Sequence, residues 1–303
     1  MKRVYFLFFV LAVSLVPLRA QFTPLGTATQ TSNTCFSLTA NQPSQLGAIW
    51  QTQQIDLTRP FDLFATFFFG CADGGADGIV FVLDNQATAL GVGGGGMGYQ
   101  TIASSLGIEF DTWQNTNLGD PAYDHLAIVS NGINNHSTAS NLAGPVGILA
   151  NNGNVETCSF YNIRISWEPA TNLLRVWVNC ALRLSYTGNI ANTIFGGNPL
   201  VHWGFVSSTG AAANLHQVCI SYFNNYAPQQ ICYPATVQLN AGASTGTAFS
   251  WTPTAGVSNP TIANPIISPD TTTTYTVTVT SACTGNRTRS WDVTVGYDSV
   301  LNI

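Results

Sequence analysis

The chain has 303 residues, with 9 Lys or Arg against 14 Asp or Glu, a formal net charge of −5 and only 8% charged residues. Nucleic acid and anionic membrane are held through clusters of Lys and Arg, so so acidic a balance argues against both as partners. Hydrophobic residues make up 45% and aromatics 11%, which is ample for a buried core.

Residues 1–20 read as a secretory signal peptide. Lys2 and Arg3 precede an apolar run from Val4 to Val16 that is too short to span a bilayer, and Leu18-Arg19-Ala20 offers cleavage after Ala20. Its removal leaves six basic residues against 14 acidic ones, a net charge of about −8, and no lysine. No later stretch reaches the roughly 18 apolar residues of a membrane span, so the mature protein is expected to be secreted or held at the cell surface without membrane insertion.

Short runs of β-branched and aromatic residues then recur between turn clusters: Phe61 to Phe69, Gly78 to Leu83, Gly107 to Trp113, His125 to Val129, Phe160 to Trp167, Leu173 to Val178, Val201 to Val206 and Val218 to Phe223. With helical patterns nearly absent, this spacing predicts an all-β, two-sheet sandwich. Ala76-Asp77-Gly78 is by itself an ordinary turn triplet. Gly91 to Gly98 lacks the lysine of a phosphate-binding loop and precedes a strand instead of opening a helix, so it is no phosphate cradle.

The segment Glu109-Phe-Asp-Thr-Trp-Gln-Asn-Thr-Asn-Leu-Gly-Asp-Pro-Ala-Tyr-Asp-His125 is the most informative. Side chains two apart on a strand share a face, roughly 6.5 Å from one another, so Glu109 and Asp111 can grip one metal centre. The carbonyl of Trp113 and the side-chain oxygen of Asn115 follow in the loop, and Asp120 and His125 close the cluster. Hard oxygens suit Ca2+, whereas a histidine added to carboxylates suits a first-row transition ion such as Mn2+. Glu109 and Asp111 also stand inside an apolar run, where an unpartnered carboxylate costs several kcal/mol or is forced to protonate. A bound cation would be that partner. His136, His202 and His216 read as structural or solvated.

Past Asn225 the texture changes to Pro, Ala, Thr and Ser and ends in Thr271-Thr-Thr-Thr-Tyr-Thr-Val-Thr-Val-Thr280, an alternating strand of high β propensity. Residues 228–297 are expected to form a small β module, with residues 298–303 as a tail. Seven cysteines in an exported chain imply disulfides with one thiol left over. Cys158 and Cys180 flank a predicted hairpin and would clamp its open ends. Cys232 and Cys283 stand near the two ends of the C-terminal module, whose small core a bridge would support.

The Glu-x-Asp-Thr-aromatic-x-Asn, Asp-Pro, His series resembles the metal loop of the legume-type (L-type) lectins. Ala76-Asp77-Gly78-Ile79-Val80-Phe81 is similar to that family's Ala-Asp-Gly strand, Gly93 to Tyr99 to its glycine-rich loop, and Val201 to Val218 to its late strand, variable sugar-binding loop and final strand. The resemblance covers roughly residues 22 to 226, within an expected domain of residues 21–227. It implies a concanavalin-like jelly-roll sandwich that binds glycans through Ca2+ and Mn2+, or another transition ion in place of Mn2+. The implied metal ligands are Glu109, Asp111, Trp113, Asn115, Asp120 and His125. The implied sugar contacts are Asp77, Asn115, Trp113, the amide of Gly95 or Gly96, and the loop Ala211 to Leu215, including Ala212 and Ala213. The resemblance further implies a cis bond before Asp77, steadied by the loop that the ions fix, and it leaves homo-oligomerisation through the back sheets open. First and last strands of the family's back sheet lie side by side, which suggests Cys35 with Cys219 as one further pair and leaves Cys71 free. Ser250-Trp-Thr-Pro, Ser258-Asn-Pro and the Thr-Tyr-Thr-Val strand resemble the immunoglobulin-like or PKD-like modules of Bacteroidetes surface proteins, which serve as spacers.

Two rival readings share the sandwich. One glycoside hydrolase family carries Glu-x-Asp-x-x-Glu on a strand, and Glu109-Phe-Asp111-Thr-Trp matches its first five positions. The sixth is Gln114, and an amide can act neither as nucleophile nor as acid/base. No catalytic residue is therefore assigned. A structural adhesin with a vestigial sugar site is the other rival.

Overall fold

The computed structural model describes residues 22–86, 89–242, 247–281 and 285–296. The expected signal peptide and tail, and Cys283, lie outside the described residues. In chain order the strands of the larger part are β1 (Phe22–Gly26), β2 (Thr29–Gln30), β3 (Cys35–Thr39), β4 (Leu46–Gln51), β5 (Ile55–Asp56), β6 (Phe61–Phe68), β7 (Gly78–Asp84), β8 (Ser105–Asp111), β9 (His125–Ser130), β10 (Asn141–Gly147), β11 (Phe160–Glu168), β12 (Leu173–Val178), β13 (Ala181–Thr187), β14 (Leu200–Ser208) and β15 (His216–Asn224), with a short helix α1 (Ile190–Thr193) between β13 and β14. All eight strands expected from the sequence are present. The front sheet runs β1-β4-β14-β7-β8-β9-β10 and the back sheet β13-β12-β11-β6-β15-β3-β2, which makes the jelly-roll sandwich.

Side chains alternate across a strand, so every second residue of β6, β7, β8 and β9 enters the space between the sheets. Phe67 of the back sheet meets Phe110 and Phe205 of the front sheet edge-on, at ring-centroid distances of 5.1 and 5.6 Å. Strands β7, β8 and β9 are buried along their whole length, on both faces. Their second face is covered by a smaller apolar cluster in which Met97, Tyr99 and Ile102 of the glycine-rich segment pack on Val80, Val82 and Val129. This cap explains why these strands read as continuous apolar runs.

The C-terminal part follows as β16 (Gln229–Cys232), β17 (Val237–Gln238), β18 (Thr247–Thr252), β19 (Ile266–Ile267), β20 (Thr273–Ser281) and β21 (Gly285–Gly296). They form a four-stranded sheet, β16-β21-β20-β18, and the pair β17-β19. Tyr275, Val277 and Val279 of the alternating strand turn inward onto a separate core with Trp251 and Trp291, whose rings lie 5.2 Å apart.

The two parts meet at Asp62, on the outer face of β6. Its carboxylate is fully buried and accepts from Arg164 Nη2 at 2.8 Å, Arg287 Nη1 at 2.8 Å, Arg289 Nε at 3.1 Å and the Tyr226 hydroxyl at 3.0 Å. Burial alone would raise the Asp62 pKa, but the three guanidinium groups prevail and hold it below the usual carboxylate range. Arg287 and Arg289 come from β21 and Arg164 from β11, so one carboxylate ties the C-terminal sheet to the back sheet.

The disulfides differ from two of the expected pairs. Cys35 bonds Cys219, as the resemblance suggested, and the two lie opposite each other on β3 and β15. Cys71, expected to be free, bonds Cys158, so the Cys158–Cys180 clamp does not form. The chain before β11 turns back to the end of β6, where the Cys158 amide donates to the Gly70 carbonyl at 2.9 Å, and this brings Cys158 to Cys71. Cys180 is itself disulfide-bonded. Cys232 carries a free, exposed thiol, so its expected bridge to Cys283 is also overturned.

Replacing Asp62 with Ala removes the shared anion from three buried guanidinium groups, leaving Arg289 with Glu168 at 2.9 Å and Arg164 and Arg287 with no carboxylate among the described residues. The expected loss is about 3–5 kcal/mol of unfolding free energy. Urea denaturation followed by tryptophan fluorescence measures it, and a loss below about 1 kcal/mol would show that the network contributes little.

Candidate functional site

Strand β8 sets the site. Phe110 points into the intersheet core, so Glu109 and Asp111 point to the opposite face. Asp111 pairs with Gly78 of β7 on one side and with His125 of β9 on the other. That register puts Asp77, Asp111 and His125 at the same end of three adjacent strands. The chain then leaves β8 in a loop braced by its own side chains. The Trp113 amide donates to Asp111 Oδ1 at 2.7 Å, and the Asn115 amide donates to Asp120 Oδ2 at 2.6 Å. A single 3-10 turn, Thr116–Leu118, ends at Gly119, whose φ of 83° suits a residue without a side chain.

Of the six expected metal-loop residues, four have side chains that converge. Glu109, Asp111, Asp120 and His125 are all buried, and their donor atoms fall into two overlapping groups, Asp111/Asp120/His125 and Glu109/His125/His136, each spaced to hold one ion. Asn115 stands beside Asp120 with its own side-chain Oδ1 unpartnered, and the Trp113 backbone lies between Asp111 and Asn115. The orphaned donors fit a cation: both carboxylate oxygens of Glu109 lack a hydrogen-bond donor although the residue is 1% exposed.

His136 corrects the reading of that residue as structural or solvated. It lies in the β9–β10 loop, which folds back over the 3-10 turn, with the His136 amide donating to the Leu118 carbonyl at 2.8 Å. Its Nε2 is 3.0 Å from His125 Nε2, 3.1 Å from Glu109 Oε1 and 3.3 Å from Asp120 Oδ1. No sequence pattern marks it, because it is eleven residues past His125 in an irregular loop. His216 is a core residue as expected, its Nδ1 2.8 Å from the Thr39 hydroxyl and 3.1 Å from that of Ser207. His202 is half-buried, with its Nε2 3.1 Å from Gln54 Nε2.

Burial dominates the acid–base behaviour. It pushes Glu109 up to about 8 against the opposing pull of His136. Asp111 is raised well above the carboxylate range by burial and then by the Glu109 and Asp120 charges. Burial lowers His125 to about 4 although Asp120 opposes it. For His136 burial works in the same downward sense, but the Asp120 hydrogen bond and the Glu109 charge outweigh it and the pKa rises.

Next to this cluster stands Asp77, 3% exposed. The Ala76–Asp77 peptide is cis, as the resemblance implied. The Asp77 amide donates to the Ser208 carbonyl at 3.0 Å and its carbonyl accepts from the Thr112 amide at 3.0 Å, while its Oδ2 has no partner. Burial raises its pKa to about 7. Gly95 and Gly210 lie close to Asn115 and Asp77: a Cβ on Gly95 would lie 2.8 Å from Asn115 Oδ1, and one on Gly210 would lie 3.8 Å from Asp77 Oδ2. Gly96 is instead buried beneath Val92 and Gln100, so Gly95 is the glycine brought to Asn115. Trp113 stands 39% exposed. A cavity of about 390 Å³ lies along its flank, lined by Asp73, Thr112, Tyr123 and Asp124.

Ala212 and Ala213 are half-buried in the loop after β14, and Asn214 pins that loop. Its amide donates to the Ala76 carbonyl at 3.2 Å and its Nδ2 to the Ala72 carbonyl at 2.9 Å, with a further hydrogen bond to Glu156. A Cβ on Gly75 would collide with the Asn214 side chain. Asn214 falls in the loop Ala211 to Leu215 expected from the resemblance, though its bracing contacts had no sequence signal, and Glu156 carries no motif.

Residues 14–222 match the legume lectin beta-barrel domain, the L-type lectin domain family. Among curated proteins, the chain is 28% identical over 271 residues to the pesticidal crystal protein Cry22Aa of Bacillus thuringiensis, covering 76% of this chain and 35% of that protein. It is 26% identical over 197 residues to a lectin of Dioclea lasiophylla, covering 52% of this chain and 64% of the relative. The chain thus spans about a third and just under two thirds of these relatives' own lengths. Among solved structures, the metal-free form of lectin I-B4 from Griffonia simplicifolia superposes with a TM-score of 0.56 at 21% identity, covering 70% of this chain and 96% of that one. The family match extends over more than half of the chain, and with the sandwich and its strand order it shows that this protein belongs to the L-type lectin family.

Proposed function

We propose that this protein is a metal-dependent lectin that holds glycans without cleaving them. The observation that carries the reading is Glu109, buried with both carboxylate oxygens unpartnered beside Asp111, Asp120 and His125. In this reading Asp111, the Trp113 carbonyl, Asn115 and Asp120 hold Ca2+, while Glu109, Asp111, Asp120 and His125 hold Mn2+ or another transition ion. The ions fix the loop from Trp113 to Asp120 against β7. Asp77 accepts hydrogen bonds from two sugar hydroxyls, and a charged acceptor makes such bonds short and strong. Asn115 and the Gly95 amide add hydrogen bonds, Trp113 packs on the apolar face of the ring, and Ala212 and Ala213 form the far wall. The half-exposed ring and the unpartnered Asp77 Oδ2 support these roles.

Binding is favoured over hydrolysis because Gln114 holds the place of the second hydrolase carboxylate, and its Nε2 donates to the Asp120 carbonyl at 3.3 Å. Residues 21–227 are the lectin domain in this proposal and residues 228–297 an immunoglobulin-like or PKD-like spacer of a secreted or surface-held protein. Arg287 and Arg289 on Asp62 support a spacer that is rigidly joined.

Glycan-array binding with Ca2+ and Mn2+ is expected to vanish after chelation and return when the ions are restored, with far-UV circular dichroism unchanged. Reducing-end-labelled polysaccharides from the bound classes should be retained uncut. Undiminished binding by the metal-free protein would refute metal dependence, and released product would refute the lectin reading.

Asp77→Ala should abolish detectable binding, a loss of at least about 100-fold for a charged acceptor of two hydroxyls. Trp113→Ala should weaken binding by about 10-fold through lost ring contact. Titration calorimetry against the best array glycan checks both, and wild-type affinity in the Asp77 variant would remove that residue from the site.

The metal-free protein should lose stability as pH rises. Folded Glu109 (about 8) and Asp77 (about 7) keep protons that an unfolded chain releases near 4.5 and 3.8, so between those limits the folded state binds more protons and unfolding becomes easier with pH. His125, lowered to about 4, and His216, lowered to about 3, oppose this only below the ordinary histidine value of 6.5. The melting temperature of chelated protein should therefore fall from pH 6.5 to 8, and saturating Ca2+ and Mn2+ should remove most of the fall. Scanning calorimetry that found the chelated protein more stable at pH 8 would contradict the assignment.

A further inference from the structure

Resting on the metal-dependent reading above, we propose that His136 is a direct ligand of the transition-ion position, and that the pair His125 and His136 makes that position select Zn2+ over Mn2+. Three donors from three separate stretches of chain, all within 4.8 Å of one another, meet there: Glu109 from β8, His125 from β9 and His136 from the β9–β10 loop. His136 Nε2 is 3.1 Å from Glu109 Oε1 and 3.0 Å from His125 Nε2, and Asp120 Oδ1 of the metal loop is 3.3 Å from His136 Nε2 and 3.9 Å from His125 Nε2. Donors bound about 2.0–2.2 Å from one centre at right angles lie about 3.0 Å apart, and tetrahedral ones about 3.4 Å, so His136 stands at ligand spacing from Glu109 and His125, with Asp120 at the margin of the group.

The protein's own groups satisfy only part of this cluster: the two Nε2 atoms share one hydrogen bond, yet both Glu109 oxygens stay without a donor. Both rings present Nε2 to each other, with ring planes 82° apart, and at most one of those nitrogens can donate in a neutral pair. Glu109 Oε1 gains no hydrogen bond from His136 despite its proximity, and Oε2 has no partner either. An ion at the common point satisfies the two nitrogen lone pairs and the carboxylates at once. The His125 ring also hydrogen-bonds the Tyr123 backbone, the kind of outer contact that orients a metal-bound imidazole. His136 is held from its own backbone, through its amide on Leu118 and through Asn141 Nδ2 on its carbonyl at 3.3 Å.

One imidazole among carboxylates leaves an oxygen-rich site that Mn2+ accepts. A second nitrogen shifts the preference toward later first-row ions, for which imidazole is the better donor. Any nitrogen and oxygen site favours Zn2+ over Mn2+ to some degree, so the informative quantity is the change in preference when His136 is removed.

Chelated full-length protein, wild type and His136→Ser, should be equilibrated with Ca2+ plus equimolar Mn2+ and Zn2+, and bound metal counted by mass spectrometry. The expected result is Zn2+ retained by the wild type and a Zn2+/Mn2+ ratio lowered about 10- to 100-fold in the variant, with bound Ca2+ unchanged. Histidine 15N NMR of the unsubstituted protein gives a second reading that needs no variant: Zn2+ should shift the Nε2 resonances of both His125 and His136. An unchanged ratio, or a shift at His125 alone, would overturn the role of His136 while leaving the metal-dependent lectin intact. Retention of no ion by the wild type would overturn both.

Discussion

A carboxylate shut away from water without a donor is the constraint on which the sugar-side architecture turns. Glu109 and Asp111 stand on a strand that is buried on both faces, and neither has a guanidinium or ammonium group nearby to balance it. Transfer of such groups out of water costs several kcal/mol each or forces them to take up protons, and their raised pKa values show the second route in the protein alone. A cation reverses that balance. It makes the anionic forms the favoured ones and joins a strand, a loop and a neighbouring hairpin into one unit. Asp111 pairs with Gly78, the residue after Asp77, so Asp77 is joined to the carboxylate cluster through a single rung of the sheet.

Small residues surround that aspartate. Gly94, Gly95 and Gly210 let two backbone segments approach Asp77 and Asn115 closely, and a side chain on Gly95 would strike Asn115. The same glycine-rich segment sends Met97 and Tyr99 back onto the front sheet, sealing its outer face. One stretch of chain therefore does two jobs: its apolar residues cover the outer face of the front sheet, and its glycines let the backbone come close to Asn115 and Gly210. The Asn214 contacts and the Cys71–Cys158 bridge brace the opposite side, so the loops around Asp77 are held from both ends.

What was legible in the sequence was local. Eight strands followed from runs of β-branched and aromatic residues, and the convergence of Glu109, Asp111, Asp120 and His125 could be expected because they are close in the chain and the first two follow the two-residue period of a strand. His136 was illegible because only the fold-back of the β9–β10 loop brings it to Glu109. The Cys158–Cys180 pair failed for a related reason: the two flank a hairpin, yet the contact that decides Cys158 is with the end of β6, 87 residues earlier in sequence. Asp62 looked like an ordinary strand residue, since its partners Arg287 and Arg289 lie more than 200 positions downstream.

Asp62 and Glu109 are two answers to one physical problem. Both are acids on central strands and both are almost wholly buried. On the back sheet the chain supplies its own counter-charges, three planar guanidinium groups whose fixed donors can share a single carboxylate, an arrangement that lysine's point charge matches poorly. That solution is internal and permanent, and it holds the C-terminal sheet against the lectin sandwich under any ionic conditions that keep Asp62 charged. On the front sheet the chain supplies donors for a cation but no cation of its own. That end of the front sheet is left with carboxylates the chain does not balance, whereas the carboxylate at the contact between the back sheet and the C-terminal sheet is balanced within the chain.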